Sequence, residues 1–412
     1  MGNRPLEGIR VVEMATFIAA PCTARFLADL GAEVIKVEPP MGDPLRYTAV
    51  NEGRPLDQKE NTSYDLENAG KTCISLNTKS EEGREALEKL LATADVFICN
   101  WRQSPLKRAG LDWETLHEKY PKLVYGYVSG YGEKGPDKDL PGFDFTAFYA
   151  RGGILGSLRD KNSLPMLTVQ GFGDHQVAMN LAAGVLAALF KAKMTGEGDH
   201  VVVSLFHSAI WDISLMLQAS QYGADSTQYP MERWKLGNPL VLCYETADGQ
   251  WLQIAMPQYD RHYPILMNAM GYPELADDAR YYPQKNLIPN REEFSAWITA
   301  EFKKKTCDEW CKLLDANDLP YAIAQEWDSL LEDKQAWASD CFYEMSYSNG
   351  NKRTLVRPPV LFDQMGLPPY ERGPYLGEQT KDILGELGYS AEAIDELIKS
   401  GAAIDMDPAL RD

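Results

Sequence analysis

The sequence lacks any apolar run near the ~18 residues that a membrane-spanning helix needs. Its most apolar stretch, residues 181–190, is much shorter, and the mean hydropathy is −0.35. The opening residues also lack the basic segment, the apolar segment and the cleavage site of a secretory signal. These absences predict a cytoplasmic protein with no membrane segment.

Positive charge is also scarce, because 41 Lys and Arg residues face 60 Asp and Glu residues and leave a net charge of −19. This balance disfavours a nucleic acid or an anionic membrane as the main partner. It does not exclude an anionic small molecule, since charges in physiological salt act over only about 8 Å. A few local cations are enough to bind a phosphate group.

Paired cysteines are missing as well. The seven cysteines are odd in number and contain no CxxC motif, which is typical of reduced thiols. Cys307 and Cys311 share a face of a predicted helix, but no histidine near them completes a zinc site. The sequence therefore predicts no metal cofactor.

What the sequence does contain is a regular alternation of strand and helix patterns over residues 1–130. Residues 9–14 and 33–38 have the pattern of buried strands, and residues 19–30 between them have that of a helix. This alternation predicts an α/β fold whose large domain has a Rossmann-like parallel sheet, with ligands bound beyond the carboxyl ends of the strands. A nicotinamide dinucleotide is disfavoured, because ATFIAAP follows the first strand in place of G-x-G-x-x-G.

The composition of the later part of the chain differs from that of residues 1–130, and this change suggests domain boundaries. We predict the N-terminal part of the large domain over residues 1–222, a linker over 223–239, a smaller α+β domain over 240–328 and a C-terminal segment over 329–412. The smaller domain would open with a hairpin that turns at Asp248-Gly249. A long apolar helix is predicted directly after Gly173.

Six ordered blocks, spread from residue 5 to about residue 390, resemble the class III coenzyme A transferases. They include PLEGIRVVEMATFIAAPCTARFLADLGAEVIKVEPP, NAGKTCISLN, ADVFICNW, GYGEKGP, GFGDHQVAMNLAAGVLAALF and PYLGEQTKDILGELGY. The resemblance implies coenzyme A (CoA) as substrate and carrier, without a metal. It also implies an interlocked homodimer in which the C-terminal segment returns to the large domain.

The resemblance further implies that Asp174 is the catalytic residue. Moving CoA between two acids without hydrolysis needs an acceptor that preserves acyl activation, and a carboxylate does so by forming a mixed anhydride and then an aspartyl-CoA thioester. The alternative for Asp174 is a helix N-cap, and the two roles are compatible, since nearby amides at the helix start could also hold an acyl oxyanion. His175 is not needed as a base, because a carboxylate is already ionised at neutral pH.

The family pattern also points to the CoA-binding residues. They are expected in the loops that follow the strands, and the candidates are Phe17, Ile18, Ala19, Lys71, Asn100, Trp101, Arg108 and Tyr131. Lys71 and Arg108 would lie near the adenine or the phosphates, and Tyr131 near the thioester. Where this chain departs from the family pattern, at Pro39 and Ser129, phosphate binding is expected to pass to other cations, namely Lys36, Arg46 or Lys134. For the lysines and arginines the alternative is a solvated surface charge.

Three further segments resemble one branch of the family, namely GDPLRYTAVNEGRPLDQKENTSYDLENAGK, PDKDLPGFDFTAF and LLEDKQAWASD. This resemblance implies CoA transfer from cinnamoyl-CoA or a related aryl-acrylyl-CoA to an (R)-2-hydroxy acid such as phenyllactate, in amino-acid fermentation. The alternative is 2-hydroxyisocaproate or another acyl substrate. An α-methylacyl-CoA racemase is disfavoured, because residues 126–131 and their flanks hold no histidine. A 2-hydroxyacyl-CoA dehydratase is a possible partner, and a non-enzymatic CoA-binding subunit of such a complex is a third alternative. Four aromatic residues near the GYG block are expected to pack in the core or to line an aryl pocket: Phe143, Phe145, Phe148 and Tyr149.

Overall fold

The computed structural model describes residues 4–223, 227–368 and 370–411. Part of the predicted linker, residues 224–226, therefore lies outside the described residues. The strands are β1 Arg10–Met14, β2 Glu33–Glu38, β3 Thr72–Leu76, β4 Val96–Cys99, β5 Val124–Ser129, β6 His200–Ser204, β7 Cys243–Glu245, β8 Trp251–Ile254, β9 Tyr321–Ile323, β10 Phe342–Ser346, β11 Lys352–Val356 and β12 Ala403–Ile404.

The helices occupy the segments between these strands. They are α1 Ala19–Asp29, α2 Thr62–Asn68, α3 Glu81–Leu91, α4 Gln103–Ala109, α5 Trp113–Lys119, α6 Ile154–Ser157, α7 Phe172–Thr195, α8 Leu205–Asp212, α9 Ser214–Ser220, α10 Tyr259–Met270, α11 Gln284–Phe302, α12 Cys307–Ala316, α13 Trp327–Leu331, α14 Lys334–Ala338, α15 Thr380–Glu386 and α16 Ala391–Ser400. A π-helix spans Asp144–Ala150.

A seven-stranded sheet, in the order β12-β3-β2-β1-β4-β5-β6, forms the centre of the large unit. Strands β1 to β6 run parallel, and β12 joins the edge of β3 antiparallel. The predicted α/β class with a mainly parallel sheet is confirmed. The order 3-2-1-4-5-6 reverses between β1 and β4, and ligands of doubly wound folds bind beside such a reversal.

Helix α7 is long and apolar enough, by length and composition alone, to cross a membrane. In this fold its apolar face is buried with Val177, Leu181 and Val185, and Thr23 Oγ1 on α1 donates to the Ala178 carbonyl oxygen at 3.2 Å. Core helices of soluble proteins have the same length and composition. The packing of α7 fixes the position of its first turn.

The chain divides into two compact units. The first comprises residues 1–154, 167–213 and 335–412, and the second comprises residues 155–166 and 214–334. The second unit contains the antiparallel sheet β7-β8-β9, and its β7–β8 hairpin turns at Asp248-Gly249. The sequence patterns predicted the corresponding domain boundaries at 222/223 and 328/329, and they did not assign residues 155–166 to the second unit.

Three local features differ from the sequence patterns. The apolar pattern of residues 206–222 predicts a single helix, but the helix is broken at Ile213, which separates α8 from α9. Thr78 and Glu81 have the spacing of a capping box, but the N-cap of α3 is Ser80, which accepts a bond from the Gly83 amide. Strand β12 was not predicted, because its two residues are too few to show a hydrophobic periodicity in the sequence.

Candidate active site

Asp174 lies in the first turn of α7. The N-cap of this helix is Gly171, with a φ of +87°, a conformation that glycine adopts without steric cost. Asp174 lines a cavity at the carboxyl ends of β1, β4 and β5. The resemblance and the topology of the sheet therefore lead to the same place in the fold.

A carboxylate from another segment caps the start of α7. Asp144 Oδ2 accepts a hydrogen bond from the Gly171 amide at 2.9 Å, and its Oδ1 accepts one from the Gly173 amide at 3.1 Å. A side chain on Gly173 would overlap Asp144 and the ring of Phe148. The N-cap interpretation of Asp174 is wrong, because Asp144 supplies the acceptor that a capping residue provides. Both amides are occupied, so they are not free to hold an acyl oxyanion.

The environment of Asp174 disfavours its charged form. Burial and the nearby carboxylates of Asp144 and Glu67 raise the pKa of Asp174 to about 7, against the opposing effect of His175. Burial also raises the pKa of Asp144 to about 6, although its two amide bonds oppose the shift. Carboxyl groups with pKa values displaced towards neutrality are frequent at functional sites.

His175 is held by a buried carboxylate. Its Nε2 lies 2.8 Å from Oε1 of Glu67, whose side chain is 3% exposed. Burial opposes the protonation of His175, but the hydrogen bond and the charge of Glu67 outweigh it and raise the His175 pKa. A cationic imidazole directly after Asp174 would favour the ionised carboxylate.

Cys22 adds a third donor atom to this pair. The thiol of Cys22, a carboxylate oxygen of Glu67 and a ring nitrogen of His175 all lie within 4.8 Å of one another. These are donor types that zinc accepts. The Glu67–His175 hydrogen bond already pairs two of them. The absence of a metal cofactor stays a prediction.

The cavity at Asp174 has a volume of about 260 Å³. It brings together five of the nine residues predicted as catalytic or CoA-binding, which are Phe17, Ile18, Ala19, Asn100 and Asp174. The loops after β1 and β4 supply four of them, on the two sides of the reversal in strand order. The structure thus gathers the first-strand loop, the Asn100 loop and Asp174 around one space.

The Asn100 side chain holds the loop after β1 in place at the carboxyl end of the sheet. Its Oδ1 accepts from the Thr16 amide at 3.1 Å, and its Nδ2 donates to the Thr16 carbonyl oxygen at 2.8 Å. Both ends of the side-chain amide therefore fix the loop after β1. A role of Asn100 towards CoA remains a prediction, and it would act largely through the position of this loop.

Lys71 does not line the cavity but lies in a buried ion-pair network, which corrects its expected position. Its Nζ contacts Glu13 Oε2 at 2.6 Å, the Pro21 carbonyl oxygen at 2.8 Å and Asn68 Oδ1 at 2.8 Å, and its side chain is fully buried. Burial lowers the pKa of Lys71 to about 8 in spite of Glu13. In this structure Lys71 has no free donor to offer to a phosphate group.

Lys36 and Arg46, named as alternative phosphate ligands, are engaged in the same way. Lys36 pairs with Glu13 at 2.7 Å and with Asp43 at 3.0 Å, and Arg46 pairs with Glu38 at 2.8 Å. Both side chains are buried. The sequence shows these residues as cations, but only the packing shows that their charges are already paired.

The remaining three sequence candidates do not line the cavity. Trp101 packs against the hydrophobic core. Arg108 is exposed on α4 and bonds Ser104 Oγ at 2.7 Å, as expected of a surface charge. Tyr131 lines a second cavity with Phe206, their ring centroids 6.2 Å apart, and is not among the residues that line the cavity at Asp174.

Three charged residues that line the cavity were not predicted from the sequence. Asp144 lines the cavity, and so do the exposed cations Arg102 and Lys138. Arg102 follows Asn100 by two positions after β4, and a search of each post-strand loop for cations would have found it. Asp144 carried no signal, because its role depends on a contact with residues 27 and 29 positions further on.

Comparison with known proteins identifies the family of this chain. The model of CoA-transferase family III matches residues 6–380, so the chain belongs to that family and is an enzyme of the CoA-transferase class. Cinnamoyl-CoA:phenyllactate CoA-transferase from Clostridium sporogenes is 52% identical over 394 residues, which cover 95% of this chain and 96% of that protein.

Two further comparisons broaden the picture. (R)-2-hydroxy-4-methylpentanoate CoA-transferase from Clostridioides difficile is 41% identical over 390 residues, covering 95% of this chain and 97% of that protein. The crystal structure of a CAIB/BAIF family protein from Brucella suis superposes with a TM-score of 0.78 at 28% identity, covering 93% of this chain and all of that chain. Both the fold and the family are therefore shown.

Proposed function

We propose that the protein transfers CoA from cinnamoyl-CoA, or a related aryl-acrylyl-CoA, to an (R)-2-hydroxy acid such as phenyllactate. The observation that carries this proposal is Asp174, a carboxylate at the cavity where the loops after β1 and β4 meet. The 52% identity to a transferase named for this reaction supports the choice of substrates.

In this proposal Asp174 is the nucleophile. Its oxygen attacks the thioester carbonyl carbon, the carbon–sulfur bond breaks, and the CoA thiolate leaves a mixed anhydride on Asp174. The thiolate then attacks the Asp174 acyl carbon, which releases the donor acid and forms an aspartyl-CoA thioester. The acceptor carboxylate attacks that thioester and expels the thiolate, which returns to the acceptor acyl carbon and frees Asp174.

The surrounding residues support this chemistry in separate ways. Asp144 fixes the turn that carries Asp174 through two amide bonds. His175, held by Glu67, would place positive charge beside the carboxylate. The exposed cations Arg102 and Lys138 at the cavity are the candidates for the CoA phosphates.

The test is covalent trapping. After incubation with cinnamoyl-CoA and then hydroxylamine, mass spectrometry should find the hydroxamate on Asp174, and Asp174→Asn should neither transfer CoA nor be trapped. Asp212→Asn, which changes a carboxylate on α8 that does not line the cavity, should behave as wild type. Trapping at another residue, or near-normal turnover of Asp174→Asn, would refute the assignment.

A second acceptor is supported by a specific comparison. The Clostridioides difficile relative at 41% identity is named for (R)-2-hydroxy-4-methylpentanoate, the aliphatic acid otherwise called 2-hydroxyisocaproate. Measuring kcat/KM for both acids with one donor decides between them. A strong preference for the aliphatic acid would overturn the choice of phenyllactate.

We also propose that the protein works as a homodimer. Three large apolar side chains on α7 and α8, those of Phe190, Met194 and Trp211, are about 70% exposed. Phe190 and Met194 are four positions apart and share a face of α7, and contiguous exposed apolar side chains mark surfaces that another chain covers. Light scattering after gel filtration should give twice the mass of 46.2 kDa, and a monomer at micromolar concentration would contradict the proposal.

A further inference from the structure

Phe17 stands in an unusual backbone conformation at the edge of the cavity. Its φ is +64°, a region that bulky side chains rarely adopt. Strained residues of this kind persist where the surrounding structure over-determines them, and they concentrate at functional sites. The side chain is 36% exposed, so burial in the core does not explain the conformation.

A buried charge network holds this conformation. The Phe17 amide donates to Asp43 Oδ1 at 3.0 Å. Asp43 is itself fully buried, with Lys36 Nζ 3.0 Å away, and Lys36 also contacts Glu13. The network therefore ends at the backbone of a residue that lines the cavity.

The ring of Phe17 has an aromatic partner from a different segment. Its centroid lies 6.3 Å from that of Phe143, and the two ring planes meet at 87°. Phe143 is 55% exposed and lines the same cavity as Asp174. Edge-to-face rings attract each other and also leave faces on which a third aromatic ring can pack.

The aromatic pair also lies beside the turn that carries Asp174. Ile18 follows Phe17 and approaches Gly171, since a Cβ on Gly171 would be 3.3 Å from Ile18 Cδ1. Phe143 precedes Asp144, which bonds the amides of that same turn. Both rings are thus tied through their chain neighbours to the proposed nucleophile.

We propose that Phe17 and Phe143 form the contact surface for the aryl group of the acid substrate and set the preference for aryl over aliphatic 2-hydroxy acids. This inference rests on the proposed function, because it assumes that acyl groups react at Asp174. An aromatic ring gains from edge and face contacts that an isobutyl group does not make. Two of the other three aromatic residues considered from the sequence as pocket walls, Phe148 and Tyr149, are 1% exposed and belong to the core.

The experiment compares two acids with one donor. Wild type, Phe17→Leu and Phe143→Leu are assayed with cinnamoyl-CoA and either (R)-phenyllactate or (R)-2-hydroxy-4-methylpentanoate. The ratio of the two kcat/KM values cancels any contact with CoA that both reactions share. Each substitution to leucine should lower the ratio of kcat/KM for (R)-phenyllactate to kcat/KM for (R)-2-hydroxy-4-methylpentanoate by about 3- to 10-fold. Phe143→Tyr should leave this ratio unchanged.

Phe145→Leu is the matched control, because Phe145 is 43% exposed in the same segment but does not line the cavity. Its ratio should equal that of wild type. An unchanged ratio in Phe143→Leu would overturn the inference, and this variant tests it even where Phe17→Leu fails to fold. Wild type that transfers CoA to neither acid would instead refute the proposed function.

Discussion

The carboxylate of Asp144 accepts a hydrogen bond from the amide of Gly173 at 3.1 Å, directly before the residue that we assign as the nucleophile. With its second bond to Gly171, Asp144 gives α7 the cap that its own sequence lacks. The orientation of Asp174 therefore depends on a side chain from a separate segment.

The first prediction concerns this cap. Asp144→Ala removes both acceptors and should lower the free energy of unfolding by about 1–2 kcal/mol. It should also lower kcat by a larger factor than it changes KM. Asp144→Asn keeps an acceptor but not the charge, so the pKa of Asp174 should fall and the pH–rate profile should move to lower pH. Thermal melting and pH profiles of both variants are the measurements. Equal kcat in wild type and Asp144→Ala would remove Asp144 from the mechanism.

The second prediction concerns Gly173. Gly173→Ala places a methyl group against Asp144 and the Phe148 ring, and overpacking of this kind costs about 1–3 kcal/mol. We expect a lower melting temperature together with a strong loss of turnover. Gly385→Ala in α15 is the control, since a Cβ there meets no atom within 4 Å and alanine favours a helix. The control should be at least as stable as wild type, and equal behaviour of the two variants would contradict the packing argument.

The third prediction concerns the pH dependence of activity. Asp174 must be ionised to attack, and its pKa is raised to about 7, so the rate of the first half-reaction should rise as pH increases through about 7. His175→Gln retains a side chain that can bond Glu67 but removes the positive charge. It should raise the pKa of Asp174 further and move the profile to higher pH, with activity recovering in alkaline buffer. A profile that does not move would show that His175 has only a structural role.

The fourth prediction concerns stability. The folded pKa of Asp174, about 7, lies above the ordinary value near 3.9 of an unfolded chain, so the folded state binds more protons between these values. Stability is therefore lost as pH rises from about 4 to 7 through this group. Asp174→Asn should raise the free energy of unfolding at pH 8 by about 1 kcal/mol or more and should have little effect at pH 4. Denaturant titrations at both pH values test the sign.

The fifth prediction separates buried from cavity-lining cations. Lys71→Met leaves one oxygen of the buried Glu13 without its cation and should destabilise the fold by about 3–5 kcal/mol, while the KM for acyl-CoA of the folded fraction stays unchanged. Arg102→Gln and Lys138→Gln should raise that KM several-fold at low salt and keep the melting temperature. Arg108→Gln is the control, because Arg108 does not line the cavity. A raised KM in Lys71→Met alone would restore Lys71 as a CoA ligand.

The sequence led correctly to the parallel sheet and to the family, because alternating buried segments and ordered motifs are local properties of the chain. It placed the Phe17 loop after the first strand and Asp174 at the start of the long apolar helix, and the structure brings these residues to one cavity. It could not show that Lys71 is paired with Glu13 or that Asp144 caps α7. Those facts depend on which distant segments meet, and neither leaves a periodic pattern.

Strand β12 has a consequence for the order of folding. Its pairing with β3 joins residues 403–404 to residues 75–76, and Gln379 and Thr380 bond the same strand. The partners of this edge of β3 therefore come from segments 305 or more residues further along the chain, which are synthesised long after β3. An open strand edge invites pairing with other chains. A chain truncated before Ala403 would expose the part of that edge that β12 covers, so residues 403–404 help to protect the protein from aggregation.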